Sequence, residues 1–70
     1  MWGQAVISWD HNCTVLDADN YYGIYDLIEP LLGHEEAADA ASWCELASIG
    51  EIWESSDGSV EIELIDPDEE

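Results

Sequence analysis

The first residues of the chain alternate between apolar and polar side chains. Over residues 4–10, Ala5, Ile7 and Trp9 fall on one side of an extended chain, and the intervening residues fall on the other. Asp-His-Asn follows as a turn signal, and Asn12 tolerates positive φ. The pattern therefore predicts a strand over 4–10, a tight turn and a short returning strand at 13–16.

The end of the chain alternates in the same way and predicts a hairpin. Residues 51–54 and 59–65 are the strands, with Asp-Gly in the turn between them. One side of the second strand is apolar, while Glu61 and Glu63 lie on the other. In the first strand we expect Ile52 to join the core and Trp53 to stand on the outer or edge face.

Apolar residues at helical spacing predict two helices between these strands. The first begins after Asp19 or Asn20, either of which can cap it, and ends near Glu29, because Pro30 disrupts a helix interior. The second spans residues 34–48, starts with acidic residues and is rich in alanine. Its narrow apolar face is made of small side chains, and we expect Gly50 to stop it.

These elements predict an α+β fold. We expect a small antiparallel sheet of three to four strands with two helices packed on one face, in the order β(β)ααββ. Residues 1–65 form a single compact acidic domain, and residues 66–70 are a flexible acidic tail.

The charge of the chain is extreme. It has 18 Asp and Glu residues and no Lys or Arg, for a formal net charge of −18. Self-repulsion opposes folding, so a partner that rewards the charge is the simplest explanation. Direct nucleic-acid binding is excluded because phosphates would be repelled. Trp2 and Trp53 are the tryptophans that we expect to be least buried and most available to a partner.

Neither a secretory signal nor a membrane span is recognisable, so we expect a cytoplasmic protein without membrane contact. Cys13 and Cys44 could pair only with each other, and the sequence favours reduced thiols. The chain is expected to be a monomer or homodimer.

The acidic residues fall on predicted helices and strands rather than in the tail alone. Glu61 and Glu63 lie about 6.8 Å apart on one strand face. Glu35 and Asp39 lie about 6 Å apart along a helix. These separations are of the order found between nearby phosphates of duplex DNA. The predicted partner-binding residues are Glu35, Glu36, Asp39, Glu51, Glu54, Glu61, Glu63 and Trp53.

Other chemistry fits less well. Asp17-x-Asp19 begins like an EF-hand loop, but Tyr22 replaces the required glycine. His11 and Cys13 lack any sign of an oxyanion hole, and the Cys and His spacings match no zinc finger. We therefore predict no enzyme activity, no cofactor and no specific metal site. A calcium-binding or halophilic acidic structural module remains the alternative of another class.

A short, Arg- and Lys-free, aromatic-rich acidic domain resembles the DNA-mimic inhibitors of phages and mobile elements. These include anti-restriction proteins, uracil-DNA glycosylase inhibitors and acidic anti-CRISPR proteins. Size and element order look most like the small anti-CRISPR proteins that block type I complexes, with type I-C as one candidate. The resemblance covers the overall character of all 70 residues and no signature motif.

The resemblance implies a non-enzymatic inhibitor that blocks the DNA-binding surface of a CRISPR-Cas effector in an infected or element-carrying bacterial host. A mimic directed at a restriction or DNA-repair enzyme is the alternative within the same class.

Overall fold

The computed structural model describes residues 3–66. Trp2 and the predicted tail beyond Asp66 lie outside this range. The order of elements is ββααββ, so the predicted α+β fold is confirmed. The elements are β1 (Gln4–Trp9), β2 (Asn12–Asp17), α1 (Tyr21–Leu32), α2 (His34–Leu46), β3 (Ile52–Glu54) and β4 (Val60–Ile65).

The four strands form one antiparallel sheet in the order β2-β1-β4-β3. The N-terminal hairpin and the C-terminal hairpin thus meet through their long strands. The turn between β1 and β2 has two residues, Asp10 and His11, with φ of 40° and 68°. Two-residue hairpins of type I′ have positive φ at both central residues, and this conformation matches the twist of the strands. Asn12 follows the turn as the first residue of β2, so the positive φ angles belong to Asp10 and His11 instead.

Helix α1 is capped by Asn20, whose side-chain oxygen accepts a hydrogen bond from the Gly23 amide at 3.1 Å. The helix continues through Pro30 to Leu32, so the prediction that it ends near Glu29 was wrong. Pro30 cannot donate to the carbonyl of Asp26, but Asp26 is exposed and water can solvate that group.

Helix α2 follows after a single residue, Gly33, whose φ is 94°. It ends at Leu46, two residues before the predicted end. Gly50 does not stop it but occupies the next connection, where its φ is 96° and its amide donates to the Leu64 carbonyl at 2.8 Å.

One side of the sheet carries both helices and the core. Ile7 of β1 and Ile62 of β4 are fully buried against Ile24 and Ile28 of α1. Helix α2 contributes only small buried side chains, which let it approach closely. They are Ala37, Ala40, Ala41 and Cys44. The predicted alternation of β1 and β4 is therefore confirmed, with one face of each strand in the core.

Candidate docking surface

The acidic residues lie on the surface of the molecule. No Asp or Glu within residues 3–66 is buried, and all of them except Glu36 and Asp66 are exposed. The chain has no Lys or Arg with which they could pair. The two histidines, His11 and His34, are exposed. Carboxylates thus point into solvent from both the sheet and the helices.

The side of the sheet opposite the helices is not covered by any described residue. We call it the outer sheet face. Alternation along each strand and the pairing registers assign its residues. They are Cys13, Val15 and Asp17 of β2, Gln4, Val6 and Ser8 of β1, Glu61, Glu63 and Ile65 of β4, and Ile52 and Glu54 of β3.

Three predicted residues come together on this face. Glu54 is directly opposite Glu61, so their Cβ atoms lie roughly 5 Å apart. Glu63 lies about 6.8 Å from Glu61 along β4 and diagonally opposite Glu54. We call these residues the glutamate triad. Like charges directly opposite each other in a sheet are destabilising, so the arrangement opposes folding.

Two other predicted residues lie in the helical layer instead. Glu35 and Asp39 are exposed on α2, one helical turn apart. The sheet separates this layer from the glutamate triad. The eight predicted residues therefore do not share one face of the sheet.

Glu36 is engaged within the molecule. One of its carboxylate oxygens accepts hydrogen bonds from the Ser56 hydroxyl and from the Ser56 amide, the latter at 3.3 Å. This contact joins the first turn of α2 to the loop between β3 and β4. A depression of about 460 Å³ lies beside it, bordered by Glu35 and Asp57 among others.

Glu51 also has an internal role. Its carboxylate accepts a hydrogen bond from the Ser48 amide at 2.6 Å and so closes the turn between α2 and β3. Glu36 and Glu51 were predicted from charge alone to face a partner. No local pattern indicates the contact of Glu36 with Ser56, which is 20 residues away, whereas Ser48 and Glu51 have the spacing of a capping box.

The orientation of β3 is the reverse of the predicted one. Trp53 is opposite Ile62 and packs, half-buried, against the core. Ile52 points outward and is 57% exposed. The expectation that Trp53 stands outside was wrong, and the residue that could anchor a partner here is Ile52. Trp9 and Trp43 also pack against the core, whereas Trp2 lies outside the described residues.

The predicted site residues did not include the aliphatic side chains of the outer sheet face. Val15 is directly opposite Val6, and Val6 is opposite Glu63, which is in turn opposite Ile52. Val15 is 46% exposed. The signal in the sequence was the outward position of Val6 between Ala5 and Ile7.

Asp57 has a pKa lowered to about 2 by the hydrogen bonds that its carboxylate accepts. The Ser59 amide donates at 3.0 Å, and the hydroxyls of Ser55 and Ser59 each donate at 2.7 Å. Because these donors favour the ionised form, Asp57 acts as a structural anion of the β3–β4 loop.

The two cysteines are both free. Cys13 is exposed on β2, whereas Cys44 is buried between α2 and the sheet. Burial raises the pKa of the Cys44 thiol to about 12. Cys13 lies on the outer sheet face and Cys44 on the side of the helices, so the sheet separates the two thiols.

Within residues 3–66, no group of three or more His, Cys, Asp or Glu residues is placed to hold a metal ion. Neither α1 nor α2 has the length and apolar character that crossing a bilayer requires.

The chain matches no protein-family model, and neither a curated protein nor a solved structure is significantly similar to it.

Proposed function

We propose that this protein is a non-enzymatic inhibitor that mimics the charge of nucleic acid and occupies the DNA-binding surface of a CRISPR-Cas effector complex. The observation that carries the proposal is the charge of the surface. Carboxylates project from strands and helices over residues 3–66, none of them is buried, and the chain has no Lys or Arg.

In this proposal the protein takes the place of DNA in a protein–DNA interaction. A groove that holds DNA presents Lys and Arg, and duplex DNA offers about one charge per 1.7 Å of its axis. A sheet fixes its carboxylates about 5 to 7 Å apart, so they can occupy such a groove while the sheet stays folded. Because the chain has no Lys or Arg, a basic partner supplies the cations that pair with them.

The internal repulsion of the protein supports the same proposal. Two unit charges about 6 Å apart in water repel by roughly 0.7 kcal/mol. The glutamate triad carries several such interactions on an exposed face. A protein under selection for stability alone gains nothing from them, whereas a basic partner turns each one into attraction.

A displacement experiment tests this function. A fluorescein-labelled target duplex is bound to a purified, crRNA-loaded type I-C surveillance complex, and its anisotropy is followed as the protein is added. We expect the protein to release the duplex, and to do so less well as salt is raised. A poly-glutamate peptide with the same formal charge of −18 is the control for charge without shape.

Parallel reactions contain a restriction enzyme or uracil-DNA glycosylase in place of the surveillance complex. Release from one of these enzymes alone would assign the mimic to that class of target. If the duplex stays bound to every partner with the protein in excess, or if poly-glutamate releases it equally well, the proposal is wrong.

A further inference from the structure

The outer sheet face combines charge with exposed aliphatic surface. One row of opposite residues runs across all four strands, from Val15 through Val6 and Glu63 to Ile52. Glu61 and Glu54 stand in the next row, directly opposite each other. A partner that covers this face must therefore offer positive charges to the carboxylates and apolar side chains to the aliphatic residues.

The aliphatic residues are uncovered where a stable sheet would bury them or replace them with polar residues. Ile52 is 57% exposed and Val15 is 46% exposed, and Val6 is only half-buried beside them. Single exposed apolar residues are normal on a protein surface, but neighbouring ones around charged groups are typical of interaction sites.

The helical layer has charge without such a row. Its exposed large apolar residues are Leu46 at the end of α2, Tyr22 in the first turn of α1 and Leu31 in the last turn of α1. Each is a single side chain near a helix end. The exposed acids Asp26, Glu35 and Asp39 therefore provide electrostatic attraction, whereas the outer sheet face adds apolar contact.

Charge decides what covers the outer sheet face. A second copy of the chain would bring a further formal charge of −18 and place its own triad against this one. Such a dimer would bury like charges without any Lys or Arg to pair them. A basic protein surface neutralises the triad and buries the row at the same time.

We propose that the protein docks through its outer sheet face on a basic protein surface that presents aliphatic side chains among its lysines and arginines. The inference rests on the proposed function in that the partner is basic, and it adds which side of the molecule binds and what besides charge is recognised.

Peptide binding followed by ¹H-¹⁵N NMR tests this choice of face. The probes are a short amphipathic helix of Leu and Lys and a second peptide in which Ser replaces every Leu. We expect the Leu/Lys peptide to bind more tightly and to change the amide chemical shifts of Val6, Ile52 and Glu61. The amide chemical shifts of Asp26 and Asp39 should not change.

Two variants with equal loss of charge provide the matched comparison. E54Q/E61Q/E63Q neutralises the glutamate triad, and D26N/E35Q/D39N neutralises the same number of acids in the helical layer. The triad variant should weaken Leu/Lys binding by about tenfold, and the helical variant by less than about threefold. Ile52→Ser should also weaken it, while Leu46→Ser should not.

Several outcomes would overturn the inference. They are equal losses in the two charge variants, shifts confined to the helices, equal affinity for the two peptides, or no peptide binding. Dimerisation in analytical ultracentrifugation that E54Q/E61Q/E63Q strengthens would assign the face to a second copy instead. Peptide binding on the sheet without displacement of DNA from any complex would contradict the proposed function and leave the docking face standing.

Discussion

Single side chains decide where the elements of this fold begin, and Asn20 is the clearest case. Its side chain satisfies the amide of Gly23, one of the donors that a helix start leaves unpaired. A Cβ on Gly23 would clash with the side-chain amide nitrogen Nδ2 of Asn20, so the glycine gives the cap its space. The sequence left Asp19 and Asn20 as equal candidates because both residue types cap helices.

Asn20→Ala should lower the free energy of unfolding by about 1 kcal/mol, because the Gly23 amide loses its acceptor. Asp19→Ala is the matched control and should change stability by less than about 0.5 kcal/mol. Urea unfolding followed by tryptophan fluorescence measures both. A larger loss in Asp19→Ala than in Asn20→Ala would contradict the assignment of the cap.

Asp57 makes the stability of the protein depend on pH, and its contribution falls as the pH falls. Its pKa is lowered from 3.8 to about 2 by donated hydrogen bonds. Its contribution to stability is therefore complete above about pH 4 and is lost as the pH falls through 2, because the unfolded state binds the proton first. Asp57→Asn should destabilise the protein at pH 6 and lose most of that effect at pH 2.

Asp26→Asn is the control for this prediction, since it removes one exposed carboxylate from α1. It should not destabilise the protein at pH 6. Carboxyl ¹³C NMR gives the pKa of Asp57 directly, and a value near 4 would contradict the role of the serine donors.

At the scale of elements, the long strands could be predicted and the short one could not. Six residues of β4 alternate clearly, and Glu61 and Glu63 emerge on the outer sheet face as expected. The three residues of β3 contain too little alternation to define which side faces inward. Pairing with β4 decides the orientation and turns Trp53 toward the core. The same limit applies to predicting the candidate site. Charge alone indicates that the acidic residues are exposed, but which residues lie next to them depends on the register of the strands.

Helix α1 was underestimated for a related reason. Pro30 forbids one hydrogen bond but does not remove the packing of Ile24, Ile28 and Leu32 along the same face. Tertiary contact therefore extends the helix beyond the point at which local propensity would end it.

The contact between Glu36 and Ser56 ties α2 to the β3–β4 loop. Glu36→Ala should lower the free energy of unfolding by about 1 kcal/mol, and Ser56→Ala should lower it by less, because its amide still donates. The two effects should not add in a double-mutant cycle. Glu35→Ala, which removes the adjacent exposed carboxylate, should change stability by less than about 0.5 kcal/mol in the same measurement. Additive effects of Glu36→Ala and Ser56→Ala would mean that the residues are not coupled.

At the scale of the whole molecule, stability and charge oppose each other. Neutralising the triad in E54Q/E61Q/E63Q should raise the free energy of unfolding by about 1 kcal/mol at low salt, because the like-charge neighbours disappear. The gain should shrink at 1 M salt, where the Debye length is about 3 Å. D26N/E35Q/D39N should gain less, since Glu35 is favourable in the first turn of α2. Thermal unfolding at both salt concentrations measures the difference, and no gain at low salt would contradict the account of the triad.

A variant that gains stability and loses binding would be the signature of a surface selected for a partner. A halophilic structural module would differ, because its carboxylates would support the fold at high salt without needing any one face. Calorimetry with calcium tests the other member of that alternative, for which a single tight site would be required.

The measurement that tests the central claim most directly is calorimetric titration of the protein into the crRNA-loaded surveillance complex, first empty and then saturated with target duplex. If the acidic surface takes the place of DNA, the empty complex binds the protein and the saturated complex does not. Equal affinity for the two forms of the complex, or no binding to the empty one, would contradict the claim.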